Sequence, residues 1–491
     1  MYLRISSYVC FGLLVVMDLL YAVLGSAFAE LKVQLPFLDF PIFAGEWLMM
    51  LCVGVLLSHL FIKPARWLSW RLAVLGYFLW VMAKIVEGYA FGGGYALRNA
   101  ALFYYPVFAI LAAHFFRKVR FGQVTRTVFC TMTLLVIALM TVISNEQYAF
   151  LIAGLLVTAS LSSAPRRLIF GGLFLAVFLF RLMVLSSGRG CFVGAFAGIL
   201  YLSWYGLQLL RFSVWKQVGG SLALGLLLGS SLWLWGDRHA LATLVSPVNL
   251  TRAYDESKVM IAERRSEYVP KKLEAHVFHD DTHADQVSKK SLPTHDVVYK
   301  PDVADFELEP SKLPPGAQPE YPPQVAGVPS GERQGAFRDL NTAYNNGAFR
   351  LLIWRDMIDE LRKYHPVFGF SFGRPQRSVS LEILRWGETE WDRDGWIAPH
   401  NSLLHMIYRG GVVGLGLIVL MIFLVVKLTV DFLRFRSWRG GLLVSALISW
   451  LIMAQFGVIL ELPYNAIPFW TLFGVALAYR DQLNHEDHPV P

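Results

Sequence analysis

Residues 399–416 read Pro-His-Asn-Ser-Leu-Leu-His-Met-Ile-Tyr-Arg-Gly-Gly-Val-Val-Gly-Leu-Gly, and the chain then stays apolar through residue 426. An apolar run of about 20 residues is long enough to cross the roughly 30 Å hydrocarbon core of a membrane as a helix. The polar residues at the front of this stretch, His400, Asn401 and Ser402, are therefore predicted to lie where water meets lipid.

The composition excludes a soluble globular protein. The 491 residues are 55% hydrophobic and only 16% charged, whereas about a quarter of the residues of an average soluble domain are charged. The net charge of +8 does not indicate nucleic acid binding, because Lys and Arg gather in the cytoplasmic loops of membrane proteins. All four cysteines lie in apolar segments, which favours neither a disulfide nor a cysteine metal site.

Apolar runs of membrane-spanning length recur along the chain. They cover residues 8–29, 42–62, 67–86, 98–116, 124–144, 147–162, 167–186, 190–210, 217–235, 408–428, 440–460 and 463–480. The first run ends in a small-x-small pattern like a signal-peptidase site, but its length and Asp18 favour an uncleaved helix. We therefore predict an all-α polytopic integral membrane protein of about twelve transmembrane helices.

The basic residues of the short loops predict the orientation. With a cytoplasmic N-terminus, one side of the membrane receives Lys63, Arg66, Arg71, Arg117, Lys118, Arg120, Arg126, Arg166, Arg167, Arg211, Lys216, Lys427, Arg434, Arg436 and Arg439. The same parity leaves both termini in the cytoplasm. It also places one large extracytoplasmic domain, residues 236–399, between helices 9 and 10.

The chain thus divides into an N-terminal membrane domain, residues 1–235, the loop domain 236–399, a C-terminal membrane segment, residues 400–481, and a cytoplasmic tail 482–491. Within the loop domain, residues 254–333 are polar and Pro-rich, which predicts a loosely packed insertion. Residues 347–365 predict an amphipathic helix, ended by Pro366. Its apolar stripe is formed by Leu351, Trp354, Ile358 and Leu361.

Several residues near the predicted outer surface have side chains suited to chemistry. Neutral His400 can accept a proton near pH 7, although a histidine that merely packs at a helix entrance is the commoner case. Arg189, in an external turn, and Arg350 carry the planar fork that binds phosphate, although snorkelling or a solvated helix face would also explain them. External Arg98 is a candidate to extend such a phosphate site.

An aromatic and acidic cluster precedes His400. It comprises Trp386, Glu388, Glu390, Trp391, Asp392, Asp394 and Trp396. Aromatic rings that stack on sugars beside carboxylates would form a glycan site, and tryptophans that anchor at the bilayer surface are an equal alternative.

Two further patterns are weak. Residues 369–373 spell Gly-x-Ser-x-Gly, but no strand precedes them as a hydrolase elbow requires. His276, His279, Asp280, Asp281 and His283 have ligand-like spacing, but they lie in the polar insertion and favour a solvated charge run over a metal site.

The order of motifs around His400 resembles the O-antigen ligase and polymerase superfamily. The motifs are Arg350-x-x-x-Trp354, Pro366-x-x-Gly369, His400-Asn401-x-x-Leu404 and Gly411-x-x-Gly414. The resemblance covers about 65 residues and the surrounding membrane helices.

This resemblance implies an inverting, metal-independent glycan transferase of the bacterial inner membrane, without a cofactor. The donor would be a glycan on undecaprenyl diphosphate, and the acceptor lipid A-core or a growing polysaccharide. His400 would be catalytic, and the diphosphate would be bound by Arg189, Arg350 or its stand-in Arg355, with Arg98 in support. Trp386, Glu388, Trp391, Trp396 and Asn401 are the candidates for binding the acceptor sugar.

Two alternatives remain open. A transporter or flippase for lipid-linked oligosaccharide would use ionisable residues inside the membrane, for which Asp18, His59 and Arg181 are candidates. A scaffold protein would leave Arg189 and His400 without a role.

Overall fold

The computed structural model describes residues 2–34, 41–62, 68–117, 189–209, 254–255, 257–259, 261–262, 343–376, 378–384 and 399–487. These regions of the chain are mostly helical. Their helices are α1 (Tyr2–Leu24), α2 (Ser26–Ala29), α3 (Ala44–Ile62), α4 (Leu68–Gly92), α5 (Gly94–Tyr104), α6 (Val107–Phe116), α7 (Arg189–Leu209), α8 (Ala343–Tyr364), α9 (Val379–Leu384), α10 (Ser402–Arg434), α11 (Trp438–Met453) and α12 (Pro463–Asp487).

Three helical stretches of the described regions are long and apolar enough to cross a membrane: Leu3–Tyr21, Ala96–Phe116 and Ser402–Arg434. Two shorter apolar helices, Ala44–His59 and Trp438–Met453, accompany them. Helices also cover the other apolar runs in the described ranges, whereas 124–144, 147–162, 167–186 and 217–235 lie outside those ranges. The number of twelve spans therefore stays a prediction.

The structure departs from the prediction in three places. Strands β1 (Lys32–Gln34) and β2 (Pro41–Phe43) pair antiparallel, so the chain is not purely helical. The run 98–116 remains one stretch long enough to cross a membrane, but a turn at Pro106 separates α5 from α6 within it, because proline has no N–H for the helix ladder. The last helix continues through residues 482–487 of the predicted tail, and Asp481, just before that tail, pairs with Arg117 of the turn after α6.

Helices α7 and α11 pack closely because small residues face each other. Gly194 and Gly198 of α7 lie against Ser445 and Ser449 of α11, and the Ser445 hydroxyl donates to the Gly198 carbonyl over 2.8 Å. Small residues spaced four apart let two membrane helices approach without side chains between them. The two helices run antiparallel, since Gly206 at the far end of α7 meets Trp438 at the start of α11.

The contacts define two ends of the helix assembly. One end, the basic end, contains Arg117 with its partner Asp481, and Arg436, which donates to the Leu209 carbonyl. The other end, the His400 end, contains the start of α10, the end of α11 and the start of α12. Helices α8 and α9 pack at this second end.

Helix α8 covers the range for which an amphipathic helix is predicted, but it buries a neighbouring stripe. The buried residues are Ala348, Leu352, Ile353, Met357 and Leu361, while Leu351, Trp354 and Ile358 are only partly covered. The buried face of α8 is rotated relative to the predicted one because Ile353, Met357 and Leu361 pack with Phe370 and Tyr408. The spacing of apolar residues within α8 cannot indicate these partners.

Two glycines shape the junction between α8 and α10. Gly411 has φ 54° and ψ −130° and kinks α10, and Gly369 has φ 66° in the turn after α8. The turn packs on the kink, where the Val412 amide donates to the Val367 carbonyl over 2.8 Å. A β-carbon on Gly411 would lie 2.1 Å from that carbonyl oxygen, so only glycine fits.

Gly411→Ala is expected to destabilise the protein by about 2 kcal/mol or more, because alanine must adopt a strained backbone and displace the turn. Gly416→Ala is the matched control in the same helix, since nothing lies within 4 Å of its added methyl and Ala favours helix over Gly by up to ~1 kcal/mol. Thermal unfolding of both variants in detergent measures the difference. Equal melting temperatures of the Gly411→Ala and Gly416→Ala variants would contradict the requirement for glycine at the kink.

Candidate functional site

His400 stands immediately before α10 in a conformation that L-residues rarely adopt. Its φ is 49° and its side chain is half-buried. The backbone on both sides is held in place: the Trp354 indole donates to the Pro399 carbonyl over 2.6 Å, and the amide of Ser402, two residues after His400, donates to the Ala454 carbonyl over 2.8 Å. Such a left-handed backbone persists only where the surroundings enforce it, and it is enriched at functional sites.

Arg350 of α8 lies within electrostatic range of His400. Its Nη1 donates to the Phe456 carbonyl in the turn after α11, over 2.8 Å. Burial, reinforced by the positive charge of Arg350, lowers the pKa of His400 to about 4, because both disfavour the imidazolium ion. His400 is therefore a neutral imidazole at pH 7 next to a fixed cation.

A buried polar network holds the first turn of α10, which follows His400. The Ser402 hydroxyl accepts from the amides of Ile459 and Leu460, over 2.9 and 3.0 Å, and contacts Glu461 Oε2 at 2.7 Å. His405 Nδ1 lies 2.8 Å from Glu461 Oε1. These contacts join the first turn of α10 to the segment between α11 and α12.

Arg409 extends this network toward α8. Its Nε–H donates to His405 Nε2 over 3.1 Å, so Nε2 must be an acceptor and Nδ1 carries the proton that His405 donates to Glu461. Arg409 Nη1 donates to the carbonyls of Ser371 and Arg374, over 2.6 and 2.7 Å. The side chain is 1% exposed, and a buried guanidinium is tolerated only with such a set of acceptors.

A second polar cluster joins α8 to α10. Glu360 of α8 accepts from Arg374 Nη2 over 2.6 Å and from the Tyr408 hydroxyl over 2.7 Å. The Arg374 guanidinium also lies 4.2 Å from the ring centre of Phe370, which packs 4.6 Å from the Tyr408 ring. Aromatic and cation–π contacts therefore surround this ion pair.

The segment after Gly369 reaches α4 and α5. The Phe372 ring stacks on Phe103 at 5.0 Å and meets Trp80 edge-on at 6.1 Å, while Asn99 Nδ2 donates to the Phe372 carbonyl over 2.6 Å. The Gly-x-Ser-x-Gly pattern thus lies in a turn after a helix, where Ser371 offers its carbonyl to Arg409. It docks the loop on α4 and α5.

The other three predicted phosphate ligands, Arg189, Arg98 and Arg355, lie in different surroundings. Helix α7 begins at Arg189 and, by its antiparallel packing on α11, begins at the His400 end. Arg98 of α5 is also at this end, within electrostatic range of His405. Arg355 instead lies on the exposed face of α8, 3.6 Å from Asp359.

The predicted sugar-binding residues are only partly described. Asn401 caps α10, and its side-chain oxygen accepts from the Leu404 amide over 2.9 Å, which is a structural role. Trp386, Glu388, Trp391 and Trp396 lie outside the described residues, as do His276, His279, Asp280, Asp281 and His283.

Sequence reasoning missed Arg409, Ser402, His405 and Glu461 as members of the site. One signal was present, because Arg409 and Glu461 are ionisable residues at the edges of long apolar runs, where such residues usually have a function. Their pairing was not foreseeable, since His405 and Glu461 are 56 residues apart.

His400 is expected to stay neutral until the pH falls through about 4, whereas the unfolded imidazole titrates near 6.5. Diethyl pyrocarbonate modifies only neutral imidazole, so its rate at His400, followed by peptide mass spectrometry, should be constant from about pH 7 to about pH 5. Arg350→Gln removes the neighbouring cation and should move the midpoint to higher pH. A midpoint near 6.5 in the native chain would contradict this environment.

Comparisons of the chain with protein-family models, curated proteins and solved structures give no match. The site is accordingly defined by its own residues: a neutral histidine beside an arginine, held by a buried Ser402–Glu461–His405–Arg409 network at one end of a helical membrane assembly.

Proposed function

We propose that the chain is a membrane glycan transferase of the O-antigen ligase and polymerase type. The observation that carries the proposal is the pair of His400 and Arg350, a neutral base beside a permanent cation. A base is required to activate a sugar hydroxyl, and a cation to stabilise a diphosphate leaving group. The motif order around these residues, together with Arg189 and Arg98 at the same end, supports this assignment.

In this proposal the acceptor hydroxyl gives its proton to His400 as its oxygen attacks the anomeric carbon of the donor glycan. The bond between that carbon and the diphosphate oxygen breaks, and the electron pair leaves with undecaprenyl diphosphate. Arg350 and Arg189, assisted by Arg98, bind the diphosphate as its negative charge grows. Attack from the face opposite the leaving group inverts the anomeric configuration.

Arg350 is preferred over Arg355 as the phosphate ligand of α8. Arg350 influences the charge state of His400, whereas Arg355 points to the exposed side and forms an ion pair with Asp359 there. The acceptor, either lipid A-core or a growing polysaccharide, would contact Trp386, Glu388, Trp391 and Trp396. Asn401 would act indirectly, by capping α10.

The proposed location is the bacterial inner membrane, with about twelve spans and the His400 end outside. Basic residues at the opposite end, among them Arg117, Arg436 and Arg439, are the ones that the positive-inside rule assigns to the cytoplasm. The large loop domain, residues 236–399, which lies between the ninth and tenth predicted membrane spans, would then cover the site from the extracytoplasmic side.

A transporter for lipid-linked oligosaccharide is the second candidate. It is favoured by polar groups between apolar helices: His59 lies 2.7 Å from the Ser6 hydroxyl and 3.1 Å from His114. Ionisable groups at membrane depth often mark substrate or proton paths. These contacts lie at the basic end, away from Arg350 and His400.

His400→Ala and Arg350→Ala, expressed in the native host at normal membrane levels, are expected to lower surface glycan by about 100-fold or more, the effect of losing a general base or a charge-stabilising group. His365→Ala and Arg355→Ala are matched controls on the exposed side of the same segment and should retain glycan. Arg189→Ala tests the third member of the site.

The lipid-linked precursor, followed in the same cells, separates the candidates. Precursor that accumulates on the outer face supports the transferase, with single repeat units indicating a polymerase and long chains a ligase. Precursor retained on the cytoplasmic face would indicate the transporter. Normal glycan in His400→Ala would contradict the catalytic assignment.

A further inference from the structure

The turn that follows α8 exposes a compact apolar surface, here called the apolar tip. It consists of Tyr364, Val367 and Phe368, which are 57%, 51% and 72% exposed. The next aromatic residues of the loop, Phe370 and Phe372, are almost completely buried. The apolar tip is therefore a distinct surface, since a loop in water normally covers such side chains or lacks them.

The backbone of the apolar tip is fixed. The Gly369 amide donates to the His365 carbonyl over 3.1 Å, and the Val412 amide of α10 donates to the Val367 carbonyl over 2.8 Å. The His365 ring packs 4.8 Å from Phe370. The exposed side chains thus project from an ordered turn tied to the kink of α10.

The kink marks where α10 becomes exposed to its surroundings. No residue from Ser402 to Gly411 is exposed, and the first exposed residue is Val412, at 56%. Exposed apolar residues then continue along the helix as Leu415, Val419, Leu420, Ile422, Phe423, Val426 and Val430. At 1.5 Å per residue, Val412 to Val426, ahead of the exposed Lys427, spans roughly 21 Å, most of the hydrocarbon thickness of a bilayer.

Charge is arranged around the apolar tip in the manner of an interfacial anchor. Arg362 and Lys363, in the last turn of α8, are exposed, and the Lys363 ammonium lies 5.0 Å from the ring centre of Tyr364. Basic residues beside aromatic and apolar ones bind the boundary between headgroups and acyl chains.

We propose that the apolar tip inserts into the bilayer surface at the His400 end, with Arg362 and Lys363 on the phosphates of anionic phospholipids. The occupant is bilayer lipid, because the apolar tip is bonded to α10 at the residue where the apolar exposed face of that helix begins. This second membrane attachment sets the depth of α8, and hence of Arg350, relative to the lipid surface. It is independent of the proposed transferase activity.

The test uses an environment-sensitive nitrobenzoxadiazole label on Phe368→Cys, in the full chain with its four native cysteines replaced by alanine. Asp359→Cys, exposed on the same helix, is the matched control. In nanodiscs of phosphatidylethanolamine and phosphatidylglycerol, lipids with a nitroxide high on the acyl chain should quench the label at position 368 about threefold more than at 359.

Equal quenching at the two positions would overturn the proposal. So would quenching at 368 that arises only after a polyprenyl diphosphate is added, since the apolar tip would then bind the lipid tail of a ligand. Should the cysteine-free background fail to fold, Phe368→p-benzoylphenylalanine in the otherwise unchanged chain gives a second measurement. Photocrosslinking to phospholipid is expected at position 368. Crosslinking no greater than that of Asp359→p-benzoylphenylalanine would contradict insertion.

Discussion

The buried guanidinium of Arg409 is the interaction on which the arrangement of the site depends. A charge without solvent is costly, and here it is offset by acceptors from two directions: His405 within α10, and the carbonyls of Ser371 and Arg374 in the loop after α8. The loop contributes to this compensation by presenting the two carbonyls to the same Arg409 nitrogen, Nη1. The buried guanidinium of Arg409 needs hydrogen-bond acceptors, and the loop after α8 supplies two of them. Arg409 thereby docks this loop on the helix assembly.

The position of the loop determines where α8 lies, and α8 presents Arg350. Glu360, Tyr408 and Arg374 reinforce the same contact with an ion pair and a hydrogen bond. From the other side, Ser402 and Glu461 fix the first turn of α10, directly after His400. The histidine and the arginine therefore lie within electrostatic range of each other because two segments are each attached to α10, on either side of its kinked first turns.

The helices could be predicted from the sequence because each depends on its own residues: long apolar runs, and Pro366 after α8. The His400 and Arg350 candidates followed from motif order. The buried stripe of α8 was displaced by one position, because its partners Phe370 and Tyr408 come from other segments. The network of Arg409 and the Asn99 contact with Phe372, 273 residues away, depend on long-range packing that helical periodicity does not contain.

The most direct test of this dependence on Arg409 is hydrogen–deuterium exchange, measured by mass spectrometry, of residues 365–376 in the wild-type chain and in Arg409→Lys. Lysine keeps the charge but lacks the fork that joins His405 to two loop carbonyls. These amides are expected to be protected in the wild type and exposed in Arg409→Lys, with α11 and α12 unchanged and Arg355→Lys without effect. Rapid exchange in the wild type, or unaltered protection in Arg409→Lys, would contradict the docking role of Arg409.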